Sequence, residues 1–356
     1  MSPLNTIHPR RTSSHPATLK PPPPLDASLS SIENSLSLTA LPELGPNIFT
    51  NSRPQWQPTG ARGIYGGSVI AQSLLAALQT VPPQFHPHSM HCFFLLAGNA
   101  SVPIIYHVDT VREGRSFHTR AVQARQHGRS IFATTISFSL AVVAPDSDEE
   151  DGDTAPRKRV VQHSSTLPET LPKPEDCKNE LDGIERMLKD ERIDEEVAAA
   201  AREQFAKEPF EWRRISMVPV NTGKKPADRV MRSWVRSKSP IVDPRMQYAG
   251  LAYFSDSWFI GTVGRVNREA RRDNIGMMVS LDHTIWFHLP GLKVDAEWLL
   301  VENQSTWAGE ERGLVHQKIW DQQGRLVASC AQEGMVRLKD GREGDEYVPD
   351  REQSKL

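Results

Sequence analysis

The chain has 356 residues, 38% of them hydrophobic and 24% charged, and its 42 basic side chains nearly balance 44 acidic ones. At roughly 150 residues per domain this length suggests two domains. The charge balance gives no electrostatic reason to expect nucleic acid or an anionic membrane as main partner. No apolar run approaches the ~20 residues that span a bilayer, and MSPLNTIHPRRTSS lacks the apolar core of a secretory signal. Three scattered cysteines (Cys92, Cys177, Cys330) with no CxxC argue against a disulfide framework or a zinc site. GxSxG, GxGxxG, Walker and HExxH patterns are absent. The expectation is a soluble intracellular protein that uses none of those devices.

Residues 1–27 contain Pro21 to Pro24 and isolated basic residues, the composition of a disordered arm. A first ordered unit is expected over 28–143. Gly66 and Gly67 open SVIAQSLLAALQTV, where Ile70, Leu74, Leu78 and Val81 recur at helical spacing before Pro82-Pro83. Strand-like runs follow: MHCFFLL, PIIYHVDTV, FHTRAVQAR and SIFATTISFSL. His86, His88 and His91 do not make a metal site, because strand alternation sends His91 to the opposite face.

Residues 144–207 read as a linker. PDSDEEDGDTAPRKR (Pro145 to Arg159) fails the calcium-loop pattern, since Asp151 stands where a glycine is required. ERMLKDERIDEEVAAAAREQF should form a helical connector on the surface. The second unit, 208–340, repeats the order of the first. MQYAGLAYFSDSWFIGTV is a mostly buried helix, and MMVSLDHTIWFHL, EWLLVENQSTW, GLVHQKIWDQQ and RLVASCAQEGMVRL are strands. QHGRSIFATTISF matches DQQGRLVASCAQE at an offset of about 195 residues. A helix followed by an antiparallel sheet, occurring twice, predicts two α+β units packed as a pair. Residues 341–356 are polar and read as a flexible tail.

Three polar residues stand out on apolar elements. Asp256 lies among Leu251, Ala252, Tyr253, Phe254, Trp258, Phe259 and Ile260, where a carboxylate is costly unless paired. It is either a structural cap or a catalytic group of perturbed pKa. Alternation puts Gln332 on the face of Leu326, Ala328, Cys330, Gly334 and Val336, and puts Ser280 on the face of Asp282, Thr284 and Trp286. Either residue could simply satisfy a neighbour. His283 is set on the opposite face from Asp282, so the two do not form a dyad.

The ordered segments RGIYGGSVIAQSL, HSMHCFFLLAG, VREGRSFHTRAVQARQ, LAYFSDSWF, SLDHTIWFH and RGLVHQKIWDQQGRLVASCAQEGMVR resemble the type II (TesB-like) acyl-CoA thioesterases over roughly residues 50–140 and 209–338. The resemblance implies an α+β double hotdog, each helix wrapped by its antiparallel sheet, and hydrolysis of acyl-CoA without metal or cofactor. Carried over by motif, Asp256, Ser280 and Gln332 hold a water. Asp256 would act as general base and the other two would orient the water. Arg112, Arg115 and Arg120 are candidates for the CoA phosphates, although ordinary surface roles serve them equally well. Gly66 and Gly67 are placed with the substrate-binding residues. The repeat puts Ile136 opposite Gln332 and Gln72 near the place of Asp256, so the first unit should be catalytically silent.

Ser354-Lys355-Leu356 matches the address read by the peroxisomal import receptor, so the expected location is the peroxisomal matrix. Hotdog units commonly associate further, so a homo-oligomer is expected. Two alternatives remain: a silent acyl-CoA-binding subunit, and a hotdog hydratase, whose Asp/His motif is absent.

Overall fold

The structure is a computed structural model and describes residues 17–58, 60–140, 161–191, 193–216, 223–267, 269–270 and 274–339. The acidic stretch 145–159 and the C-terminal tripeptide lie outside these residues. The N-terminal unit contains α1 (Ser31–Leu36), β1 (Leu38–Ala40), β2 (Ile48–Asn51), α2 (Gly66–Leu78), β3 (Phe85–Phe94), β4 (Ile105–Glu113), β5 (Phe117–Gln126) and β6 (Arg129–Leu140). Two linker helices follow, α3 (Glu180–Lys189) and α4 (Glu195–Lys207). The C-terminal unit has β7 (Phe210–Ser216), β8 (Val230–Ser237), α5 (Pro244–Ser255), α6 (Gly261–Val266), β9 (Ile275–Ser280), β10 (Asp282–Phe287), β11 (Leu299–Gly309), β12 (Arg312–Trp320) and β13 (Leu326–Leu338).

The strands form one antiparallel sheet in the order β1-β2-β4-β5-β6-β3-β10-β13-β12-β11-β8-β7, with β9 also on β13. The path reads the same from both ends, so the two halves are related strand for strand about the β3–β10 seam. That seam pairs Ser89 with Trp286 and Phe93 with Asp282. Each unit thus adds two strands ahead of its helix to the four expected after it. The short runs LTA and IFTN carry too little period-two signal to be read beforehand.

Helix α2 is built mostly of small and apolar residues, and Gly67 through Leu78 are all buried. It fills the sheet's concavity together with α5, whose Met246 through Ser255 are buried. Such helices are core elements rather than amphipathic covers. The β5–β6 hairpin turns at His127-Gly128, with φ of 50° and 74°, the left-handed pair that a two-residue hairpin requires. This is the double hotdog expected from the motifs.

Two segments differ from the sequence reading. The arm is tied down from Ala17 onward: Asn51 Nδ2 donates to Ala17 O at 3.1 Å, and Arg53 Nη2 donates to Pro24 O at 2.8 Å. The linker is more than a surface connector. Before α3 it straps the outer face of the C-terminal sheet, where Trp320 Nε1 donates to Ser165 O and Trp234 Nε1 to Pro172 O, both at 3.0 Å. Leu167 and Leu171 pack there on Trp234, Trp298 and Trp320. Helices α3 and α4 themselves bury only Ile184 and Ala198, as surface helices do.

Candidate active site

The start of α2 meets the end of α5, and the candidate side chains Asp256 and Gln332 meet at that junction. Asp256 is the C-cap of α5, where a carboxylate gains nothing from its own helix dipole. It faces the N-terminus of α2 instead, whose Gly67 N–H donates to it. A Cβ on Gly66 would lie 2.7 Å from Asp256 Oδ2 and 2.9 Å from Phe94 Cε1. A Cβ on Gly67 would lie 2.3 Å from Tyr253 O. The Gly66-Gly67 pair is therefore the condition for bringing the carboxylate to the helix end. Tyr65 locks the same junction, with its hydroxyl 2.8 Å from both Tyr253 O and Ser257 Oγ.

Gln332 reaches Asp256 from β13. Its Nε2 donates to Asp256 Oδ1 at 2.8 Å and lies 3.0 Å from His283 Nδ1. His283 is fully buried, and desolvation lowers its pKa to about 3, so the ring is neutral. With Nδ1 accepting from Gln332, the proton sits on Nε2, 3.0 Å from Ser255 Oγ, which in turn donates to Ala252 O at 2.9 Å. The Gln332 amide thus donates in two directions, to the Asp256 carboxylate and, through His283 and Ser255, toward Ala252 O. Burial pushes the Asp256 carboxyl above its ordinary range, against the opposing hydrogen bonds from Gln332 and Gly67. Gln332 Oε1 is buried and has no hydrogen-bond partner among the described residues. It is an acceptor available to a water or substrate.

Ser280 faces the opposite side from the one that simple alternation gives. It pairs with Gly334, while Thr284 pairs with Ala331, so one residue is extra between them. Leu281 and Asp282 both oppose Glu333: Leu281 N donates to Glu333 O, and Glu333 N donates to Asp282 Oδ1 at 2.7 Å. This β-bulge re-aims the strand. Ser280 turns to the face of Gln332 and His283, while Asp282 stays outside closing the ladder. Ser280 makes no side-chain hydrogen bond among the described residues.

The arginines go elsewhere. Arg112 and Arg115 are exposed on the β4–β5 hairpin, by the end of α2 remote from Asp256. The thirteen residues of α2 correspond to about 20 Å of helix. Arg120 is 1% exposed and engaged in the fold. It donates to Thr80 Oγ1 at 2.9 Å, Thr80 O at 2.8 Å and Glu113 Oε1 at 2.6 Å. A guanidinium so used is a structural clamp. Gln72 is not the counterpart of Asp256 either. It sits within α2, and its Oε1 accepts from Gln55 Nε2 at 2.8 Å and Tyr106 Oη at 2.6 Å. Sequence reasoning missed His283, because alternation was used only to test a bond to its neighbour Asp282. The same alternation aims it at the helix side, where Gln332 also points.

Two family models match, the acyl-CoA thioesterase N-terminal domain over residues 53–139 and the C-terminal domain over 174–336. The chain belongs to the acyl-CoA thioesterase family. A mouse relative, acyl-coenzyme A thioesterase 8, is 35% identical over 306 residues, covering 85% of this chain and 88% of the relative. The yeast (Saccharomyces cerevisiae) peroxisomal acyl-coenzyme A thioester hydrolase 1 is 28% identical, covering 88% and 97%. Among solved structures, the acyl-CoA thioesterase II TesB2 of Mycobacterium marinum superposes with a TM-score of 0.65 at 31% identity, covering 87% of this thioesterase and all of that chain. Among the described residues of this family member no helix is long and apolar enough to cross a membrane.

Proposed function

We infer that the protein hydrolyses acyl-CoA thioesters to a free carboxylic acid and CoA, with Asp256 as general base. The observation that carries this is the Asp256–Gln332–His283 constellation at the N-terminus of α2. A thioester carbonyl is electrophilic and its thiolate leaves readily, so no covalent enzyme nucleophile is needed. Asp256 takes a proton from water as the water oxygen bonds to the carbonyl carbon. The carbon–sulfur bond then breaks, and the proton passes to the departing thiolate. Gln332, fixed by His283, and Ser280, turned inward by the bulge, orient the water. The positive end of α2 favours the negative charge that develops there.

Thiol release from acyl-CoA, read with a colorimetric reagent, tests this reading. Wild type should release thiol, and Asp256→Asn should do so about a hundredfold more slowly while remaining folded. A folded Asp256→Asn retaining more than half the activity removes Asp256 from the role. No thiol from any acyl-CoA leaves the silent binding subunit as the better reading.

The yeast relative's name supports a peroxisomal setting for the same chemistry, and Ser354-Lys355-Leu356 is the segment to test as the receptor-read address. Deleting Leu356 should leave the protein in the cytosol with unchanged kinetics. Import of the truncated chain, in cells lacking the full-length form, would assign targeting to another segment.

A further inference from the structure

Past Asp256 the backbone turns through Ser257 to Trp258, whose φ of 61° lies in the left-handed region that bulky residues avoid. That turn stands the indole, 43% exposed, against two cations. The guanidinium carbon of Arg214, on β7, lies 5.0 Å from the ring centroid, and that of Arg265, on α6, lies 4.7 Å from it. Both arginines line a small cleft with Ser257, Ser233 and Asn303. Its free volume is about 20 Å³, room for one or two water-sized groups.

The two arginines are not equivalent. Arg214 has Glu180 Oε1 at 3.2 Å. Arg265 has no carboxylate within ion-pair distance and no hydrogen-bond acceptor among the described residues. Burial and the neighbouring Arg214 charge lower its pKa to about 10, against the opposing charge of Glu180 beyond ion-pair distance. A desolvated guanidinium without an acceptor is costly, and stacking on an indole recovers only part of that cost. A planar donor fork held in this way suits a carboxylate or a phosphate.

We propose that this cleft is an anion site, built on Arg265 and Trp258, that reads a second negatively charged oxygen group on the thioester substrate. The proposal rests on the acyl-CoA reading above. Two parts of a substrate carry such a group: a carboxylate on the acyl chain, and the phosphates of CoA. The cleft adjoins Asp256 through Ser257, so an anion bound there fixes the substrate without touching the reacting carbonyl. Binding and turnover should therefore separate.

The test compares wild type with Arg265→Gln on four thioesters: one acyl chain ending in methyl or in carboxylate, each on CoA or on pantetheine. KM should rise about tenfold for the substrates carrying the recognised anion, with kcat within twofold, and Arg265→Lys should recover part of the loss. A rise confined to CoA thioesters assigns a phosphate. A rise confined to carboxylate-ended chains assigns the acyl group. Equal changes on all four substrates, or none, overturn the proposal. Should wild type release no thiol at all, the acyl-CoA reading fails and titration calorimetry decides the site separately. Binding of glutarate or free CoA weakened about tenfold by Arg265→Gln sustains it, and equal binding of each by both proteins ends it.

Discussion

In the proposed role of general base Asp256 must be ionised, and burial sets where that happens. Its carboxyl titrates above the ordinary range, so kcat/KM should fall on the acid side through a midpoint displaced upward from a solvent-exposed aspartate. A pH–rate profile checks this, and an acid limb at the ordinary carboxylate position would mean that another group titrates. Gly66 offers a second test of the same contact. Gly66→Ala would press a methyl onto Oδ2, already 2.7 Å from the ideal Cβ position. The side chain can swing aside, so the protein should fold while kcat drops by at least tenfold, because misplacing a catalytic group by about 1 Å is enough. Unchanged kcat in Gly66→Ala would show that the carboxylate tolerates displacement. Much of this was legible beforehand. Asp256 was conspicuous as a charge on an apolar helix, and Gln332 as an amide on an apolar strand face. The bulge at Leu281-Asp282 was not, since alternation assumes an unbroken register and the extra residue is visible only against β13.

At the scale of elements, the helices and the later strands of each unit follow from spacing and from glycine turns. The strap of residues 165–172 does not, because its polar anchors are backbone carbonyls taken by Trp234 and Trp320, and its two apolar anchors, Leu167 and Leu171, are too few to set a period. The junction of α4 with β7 stores a titration. Glu208, the C-cap of α4, has its pKa raised to about 7 by burial and by the Glu180 charge, with Lys238 opposing. The folded form therefore holds a proton that the unfolded chain, with an ordinary glutamate near 4.5, has lost. This contribution to stability is full below about pH 4.5 and disappears as pH rises through about 7. Glu208→Gln should flatten that fall and raise Tm at pH 8, by on the order of a few degrees, with little change at pH 4. Parallel melting curves of the two proteins over pH 4–8 would exclude Glu208 as the source.

Across the whole molecule, a sheet symmetric about its seam carries an asymmetric pair of interiors. The register sets Arg120 against Ile136 in the N-terminal unit and Val315 against Gln332 in the C-terminal one, so polar and apolar residues have exchanged places. The first interior spends its polar groups on structure: Arg120 clamps Thr80 and Glu113, and Gln72 accepts from Gln55 and Tyr106. The second directs Gln332 at Asp256. The N-terminal unit still takes part, because α2 supplies the Gly67 N–H and the room left by Gly66. The expected outcome is a division of effects between kinetics and stability. Gln332→Ala should cost about 2 to 4 kcal/mol of transition-state stabilisation, as for one preorganised polar group. Gln72→Ala leaves the Gln55 amide and the Tyr106 hydroxyl without their shared acceptor, and should destabilise the fold by roughly 1 to 3 kcal/mol. Its kcat/KM per folded molecule should stay close to wild type. Both variants are measured on one acyl-CoA, alongside urea unfolding. If Gln72→Ala lowers kcat/KM as much as Gln332→Ala with both folded, the first interior takes part in the chemistry and the single-site reading fails.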